Sequence, residues 1–127
     1  MKTQTYLLAL SVILLSLIST FVQAQDGSYL SPNMYSEGTQ IERIQRAIND
    51  AASSTGKVVI PKFDVVENTN VWLIDEAILL PGNIELELNN CKIKLSDSCR
   101  DNFIRSANSG LGISSVIPLK NIKLTNT

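Results

Sequence analysis

The chain has 127 residues, with 11 Lys and Arg against 12 Asp and Glu, and no histidine. This near-neutral balance carries no basic patch of the kind nucleic-acid binders show, so nucleic acid is not an expected partner. Without histidine, imidazole general bases, His-based triads and His metal sites are excluded within the chain, and two cysteines alone do not complete a zinc site.

Residues 1–24 read as a secretory signal peptide. Lys2 precedes an uncharged apolar run from Tyr6 to Ile18, and Val22-Gln23-Ala24 places small residues at the −3 and −1 positions. The run is shorter than the ~20 residues that span a bilayer. Cleavage near Ala24 predicts a secreted or periplasmic protein with no membrane attachment afterwards. It leaves residues 25–127, one domain at most.

Residues 25–38 are rich in Gly, Ser, Pro and Asn and read as a lead-in loop. Residues 39–56 read as a helix. Thr39 and Glu42 form a capping-box pattern, and Ile41, Ile44, Ile48 and Ala51 recur at spacings of one helical stripe. Gln40, Arg43, Asn49 and Asp50 are expected mostly on the other face. Gly56 is the expected stop, because glycine takes the left-handed conformation at low cost. The narrow stripe suits a helix laid on something flat.

From Lys57 the period changes to that of strands. Short apolar or alternating runs follow at 58–60, 71–74, 77–80, 84–88 and 91–95, with Asn102-Phe103-Ile104 next, a flexible loop over 106–115, and a last strand bent at Asn121. Asn89-Asn90 admits two geometries. A two-residue hairpin would match Glu87 with Lys92 and Glu85 with Lys94 across an antiparallel pair. A corner, built on asparagine's tolerance of left-handed backbone, would send the second strand into a different sheet. In that case Ile84, Leu86, Leu88, Cys91, Ile93 and Leu95 line the interior, and Glu85 and Glu87 face solvent.

Few residues offer chemistry. Glu85 and Glu87 share one strand face with Cα atoms about 6.6 Å apart, near the roughly 6.5–9.5 Å carboxyl spacing of inverting glycosidases. The competing reading is a solvated face balanced by Lys92 and Lys94. Trp72 either stacks on a sugar or sits in the core. Trp72, Glu85 and Glu87 are thus weak glycan-contact candidates. Asp75-Glu76 reads as a bend. Cys91 and Cys99 are a candidate disulfide, permitted by export, although Cys91 is also in phase with the apolar residues of its strand. Gly110-Leu111-Gly112 lacks the spacing of a dinucleotide fingerprint. No catalytic, cofactor-binding or metal-ligating residue is identified.

The text "IQRAINDAASSTGKVVIP", "AILLPGNIELEL" and "CKIKLSD" resembles the N-terminal part of secreted right-handed parallel β-helix proteins, the pectate lyase superfamily with its polygalacturonase-like glycoside hydrolases. The resemblance covers residues 40–97 and carries no catalytic motif. "MYSEGTQ" departs from the family's usual glycine- and aspartate-rich lead-in, and "PKFD" from its PxGxY. The resemblance implies an all-β fold, a right-handed parallel β-helix whose N-terminal α-helix caps the first turn, with residues 57–127 as its first turns. The solenoid is expected to be incomplete, the chain being the N-terminal part of a longer protein or a truncated product. It implies polysaccharide, pectin-like, as the partner of the intact protein, cleaved by hydrolysis or β-elimination, with calcium as a cofactor in the lyase branch. The alternative is a non-catalytic adhesin or glycan-binding module of the same fold.

Overall fold

The computed structural model describes residues 29–110, 112–115 and 117–127. The segment read as the export signal lies outside the described residues, as does the start of the lead-in. Leu30 bridges in parallel to Val58, and a 3-10 turn at Pro32–Met34 follows, with the Ser31 hydroxyl accepting from Asn33 N.

Helix α1 spans Gln40–Ala52. The Thr39 hydroxyl accepts from Glu42 N at 3.4 Å, and the Glu42 carboxylate accepts from Thr39 N at 2.7 Å, so the expected capping box closes two of the helix's free N–H groups. Gly56 has φ +69, and its N–H reaches the Ala51 carbonyl at 2.7 Å. The helix proper therefore ends four residues before the left-handed glycine that turns the chain.

Seven strands follow: β1 Lys57–Ile60, β2 Trp72–Ile74, β3 Ile78–Leu80, β4 Ile84–Leu88, β5 Ile93–Leu95, β6 Ile104–Ser106 and β7 Ile122–Asn126. Every pairing between them is parallel. β4 lies between β1 and β7, β2 pairs with β5, and β3 pairs with β6. The chain enters a different sheet at each of three successive strands and then repeats the order. Among the described residues the result is a mostly β structure of three parallel sheets with one α-helix.

The register explains the alternating sequence. Val58, Leu86 and Leu124 stand in one column, and Lys57, Glu85 and Lys123 in the next. Successive side chains on a strand point to opposite faces, so Ile84 and Leu86 are buried while Glu85 and Glu87 point outward. The hairpin geometry over 84–95 is not formed. β4 and β5 belong to different sheets, and Asn90, at φ +46, turns the chain between them. Parallel neighbours satisfy both edges of β4, which a lone hairpin would leave half open.

Asn83 and Asn121 stand at equivalent corners, each at φ +57. Asn121 Nδ2 donates to Asn83 Oδ1 at 2.8 Å. Left-handed backbone costs most residues roughly 1–2 kcal/mol, and asparagine is among the few that adopt it routinely. The bend expected at Asn121 is therefore real, and β7 begins at the next residue.

One core gathers Ile41, Ile44 and Ile48 of α1 with Val58, Ile60, Trp72, Ile74, Ile78, Leu80, Ile84 and Leu86. Cys91, Ile93, Leu95 and Ile104 pack partly buried against it. The solvent face expected for Gln40 and Arg43 is corrected, since both are buried. Gln40 is four residues before Ile44 and eight before Ile48, which puts it on the same stripe. Arg43 heads the row Arg43-Ala47-Ala51, where two small alanines leave room for a guanidinium.

Candidate functional site

The first three strands each need a partner on their outer edge, since an unpaired N–H or C=O in a buried setting costs as much as a lost hydrogen bond. Three different devices supply one. On β1, Leu30 N donates to Lys57 O and Val59 N to Leu30 O, both at 2.9 Å. On β2, Leu73 N donates to Gln40 Oε1 at 2.7 Å, and Gln40 Nε2 donates to the Val71 carbonyl at 3.1 Å. On β3, Leu79 N donates to Gln45 Oε1, and Gln45 Nε2 to the Leu79 carbonyl, both at 3.0 Å. A primary amide carries the same donor and acceptor as a peptide group. Two glutamines of α1 thus stand in for the neighbouring strand that β2 and β3 lack on this side.

The second N–H of each glutamine is also used. Gln45 Nε2 reaches Asn49 Oδ1 at 3.1 Å, and Gln40 Nε2 reaches Asp64 Oδ2 at 2.7 Å. Asp64 lies on the segment between β1 and β2, held by an antiparallel bridge to Thr69. It accepts from Arg43 Nη1 at 2.9 Å and Nη2 at 2.6 Å, a bidentate pair in which both side chains are 0% exposed. Val66 N and Glu67 N also donate to Asp64 Oδ1, at 3.0 and 3.3 Å. Burial pushes the Asp64 carboxyl up, but the bonds from Arg43, Gln40 and the two backbone N–H groups outweigh it and hold the group below its ordinary value. The Arg43 guanidinium lies 5.6 Å from the centre of the Trp72 ring, and Trp72 Nε1 donates to the Pro61 carbonyl at 2.8 Å. Helix, connecting segment and β2 are locked together at this one cluster.

Trp72 is therefore fully buried, which removes it as a glycan contact. Its indole supplies a polar handle for Pro61 and a face for Arg43 instead. Glu85 and Glu87 do face outward, but Lys92 and Lys94 are not their partners. Lys57 Nζ lies 2.7 Å from Glu87 and 3.4 Å from Glu85, and Lys123 Nζ lies 3.2 Å from Glu85. The Thr127 hydroxyl donates to Glu87 Oε1 at 3.0 Å. The bonds from Lys123 to Glu85 and from Lys57 to Glu87 lower both carboxyls. A glycosidase acid needs the opposite shift, because it must hold a proton to donate. The pair forms a ladder between stacked strands, Lys57–Glu85–Lys123, that parallel registration brings together.

Cys91 and Cys99 are both free thiols. Cys91 is packed partly against the core, which pushes its thiol up, and Cys99 sits in the turn beyond β5. Asp75-Glu76 forms the bend between β2 and β3. Calcium takes six to eight oxygen ligands. Among the described residues no three His, Cys, Asp or Glu side chains converge to hold a metal ion. Among the same residues, no helix is long and apolar enough to cross a membrane.

The glutamine clamps and the Arg43–Asp64 pair escaped sequence reasoning. The spacing of Gln40 to Ile44 and Ile48 was the available signal for the first. Asp64, 21 residues beyond Arg43, left none. A second signal lay in "NIELELN" and "NIKLTN", which repeat with the asparagines of the two corners at their heads. Comparison of the chain with protein-family models, with curated proteins and with solved structures finds no match.

Proposed function

We propose that this chain is the helix-capped N-terminal part of an exported right-handed parallel β-helix protein. In this reading the intact protein acts on a pectin-like polysaccharide by glycoside hydrolysis or β-elimination, and this segment is its structural cap. The observation that carries the reading is the closure of the three sheets at their first strands. Gln40, Gln45 and Leu30 close the outer edges of β2, β3 and β1. A stack of parallel turns needs such a closure at its first turn. The cyclic strand order supports the solenoid, and the polysaccharide class rests on the resemblance of residues 40–97.

A second reading is a non-catalytic adhesin or glycan-binding module on the same scaffold. The lysine-locked state of Glu85 and Glu87 favours it, since this carboxylate pair on a common strand face is committed to structure.

Amide hydrogen exchange tests the cap. Leu73 and Leu79 N–H are expected to be protected to the level of the β4 amides, and Gln40→Leu and Gln45→Leu to release them selectively. Fast exchange of both amides in the unaltered protein removes the cap reading. Polygalacturonate incubated with the product of the full reading frame tests the activity. New reducing ends indicate hydrolysis, unsaturated ends indicate elimination, and binding without cleavage selects the adhesin.

A further inference from the structure

Arg100 and Arg105 flank an open hollow of about 700 Å³ beside β6, lined also by Asp101, Asn102, Ser109 and Gly110. Each guanidinium is anchored on one side. Arg100 Nη1 donates to the carbonyls of Asp97 and Cys99 at 3.0 and 3.1 Å. Arg105 Nη1 donates to the Ser109 carbonyl, and its Nε lies 3.4 Å from Asp101 Oδ1. An arginine has five N–H donors, so these bonds orient each group and leave donors over. Nη2 of both residues has no partner among the described residues.

Gly110 makes the arrangement feasible. It has φ +138, and a Cβ there would stand 3.0 Å from Arg105 Nη1. The positive φ is a backbone that glycine takes at low cost, and the missing side chain leaves that space to the Arg105 guanidinium.

We propose that the hollow is a carboxylate-binding site. Two guanidiniums and the Asp101 carboxylate leave one net positive charge, which matches a monoanion. A phosphate dianion would leave the hollow with one net negative charge, where a carboxylate leaves none. The planar fork of arginine pairs with a planar carboxylate through two parallel bonds. The anchored guanidiniums lose little further freedom on binding. The Asn102 amide lines the hollow and has no side-chain partner among the described residues, so its donor and acceptor are free for a hydroxyl beside the carboxylate. The ligand class is a hydroxylated carboxylic acid, either a sugar acid or a free hydroxy acid.

The test is an NMR titration of the full chain, following arginine Nε–H signals, with glucuronate, lactate, inorganic phosphate and glucose as probes. Glucuronate and lactate are expected to give saturable shifts at Arg100 and Arg105, phosphate to bind about tenfold more weakly, and glucose to give none. Arg100→Gln, at an exposed position, and Arg105→Lys, which keeps the charge but not the fork, should each weaken carboxylate binding about tenfold, the loss of one charged hydrogen bond. If Arg105→Lys unfolds the loop, Arg100→Gln decides alone. Preference for glucuronate identifies a sugar acid and equal binding a free hydroxy acid, and both support the site. Tighter binding of phosphate, equal shifts with glucose, or unaltered binding by Arg100→Gln overturns it.

Discussion

Arg43 and Asp64 form a bidentate ion pair, at 2.9 and 2.6 Å, in which neither side chain touches solvent. The pair joins α1 to the segment between β1 and β2, two pieces of chain that share no backbone hydrogen bonds at that point. Removing one partner leaves the other charge buried without compensation, which typically costs about 3–5 kcal/mol. Asp64→Ala should therefore lower the unfolding free energy by roughly that amount, read as a fall in urea midpoint. Arg43→Met combined with Asp64→Leu should recover only part of the loss, because both charges then leave the interior together while the Gln40, Val66 and Glu67 N–H groups lose their acceptor.

The same pair sets a pH dependence. The Asp64 carboxyl is held below its ordinary value in the folded chain, against about 3.9 when unfolded. The stabilisation is fully present above pH ~4 and is lost as pH falls through the folded value. Glu42, Glu85, Glu87 and Asp101 are lowered too and act in the same direction. The difference between the unaltered protein and Asp64→Asn isolates the Asp64 part, and it should shrink on acidification. At the alkaline end, burial and the Asp50 carboxylate, which accepts from the Tyr35 hydroxyl at 2.7 Å, push Tyr35 up to about 12. Its contribution is present below pH ~10 and is lost as pH rises through that value. Absorbance titration against Tyr35→Phe should show one phenol ionising late.

Gln45 substitutes for a strand, so its loss should look like the loss of a strand partner. Gln45→Met keeps the length of the side chain but orphans Leu79 N–H and C=O, each a group whose unsatisfied burial costs about 1–3 kcal/mol. Because the site is half-buried and water can reach part of it, a single loss of about 1–3 kcal/mol is expected rather than two. Gln45→Glu retains the acceptor for Leu79 N and should fall between the two. The denaturant slope should stay constant while the midpoint shifts.

Trp72 is the chain's only tryptophan and is fully buried beside Arg43. Its fluorescence should be blue-shifted and poorly quenched by iodide in the folded protein, and oligosaccharides should leave it unchanged. A red-shifted, readily quenched signal would contradict the packing described. Trp72→Ala should cost about 3–5 kcal/mol through the cavity it leaves.

Local patterns were legible because their causes are local. Thr39 and Glu42 satisfy N–H groups three residues away, Gly56 takes a backbone that few other residues accept, and the period-2 runs around Ile84 and Leu86 mark which side of a strand is buried. Each of these follows from covalent geometry and nearest neighbours, and each is present in the structure. Partnerships across the chain were not legible. The sequence matched Glu85 and Glu87 with Lys92 and Lys94 equally well, and only the parallel register, which puts residue 57 beside 85 and 85 beside 123, assigned them to Lys57 and Lys123. Gln40 and Arg43 read as part of a polar helix face, and Gln45 carried no assignment, until the sheets lay beneath them with unpaired edges and a buried aspartate. A polar side chain is burial-neutral by itself. Whether it faces water or closes a strand edge depends on what tertiary packing brings within hydrogen-bond reach.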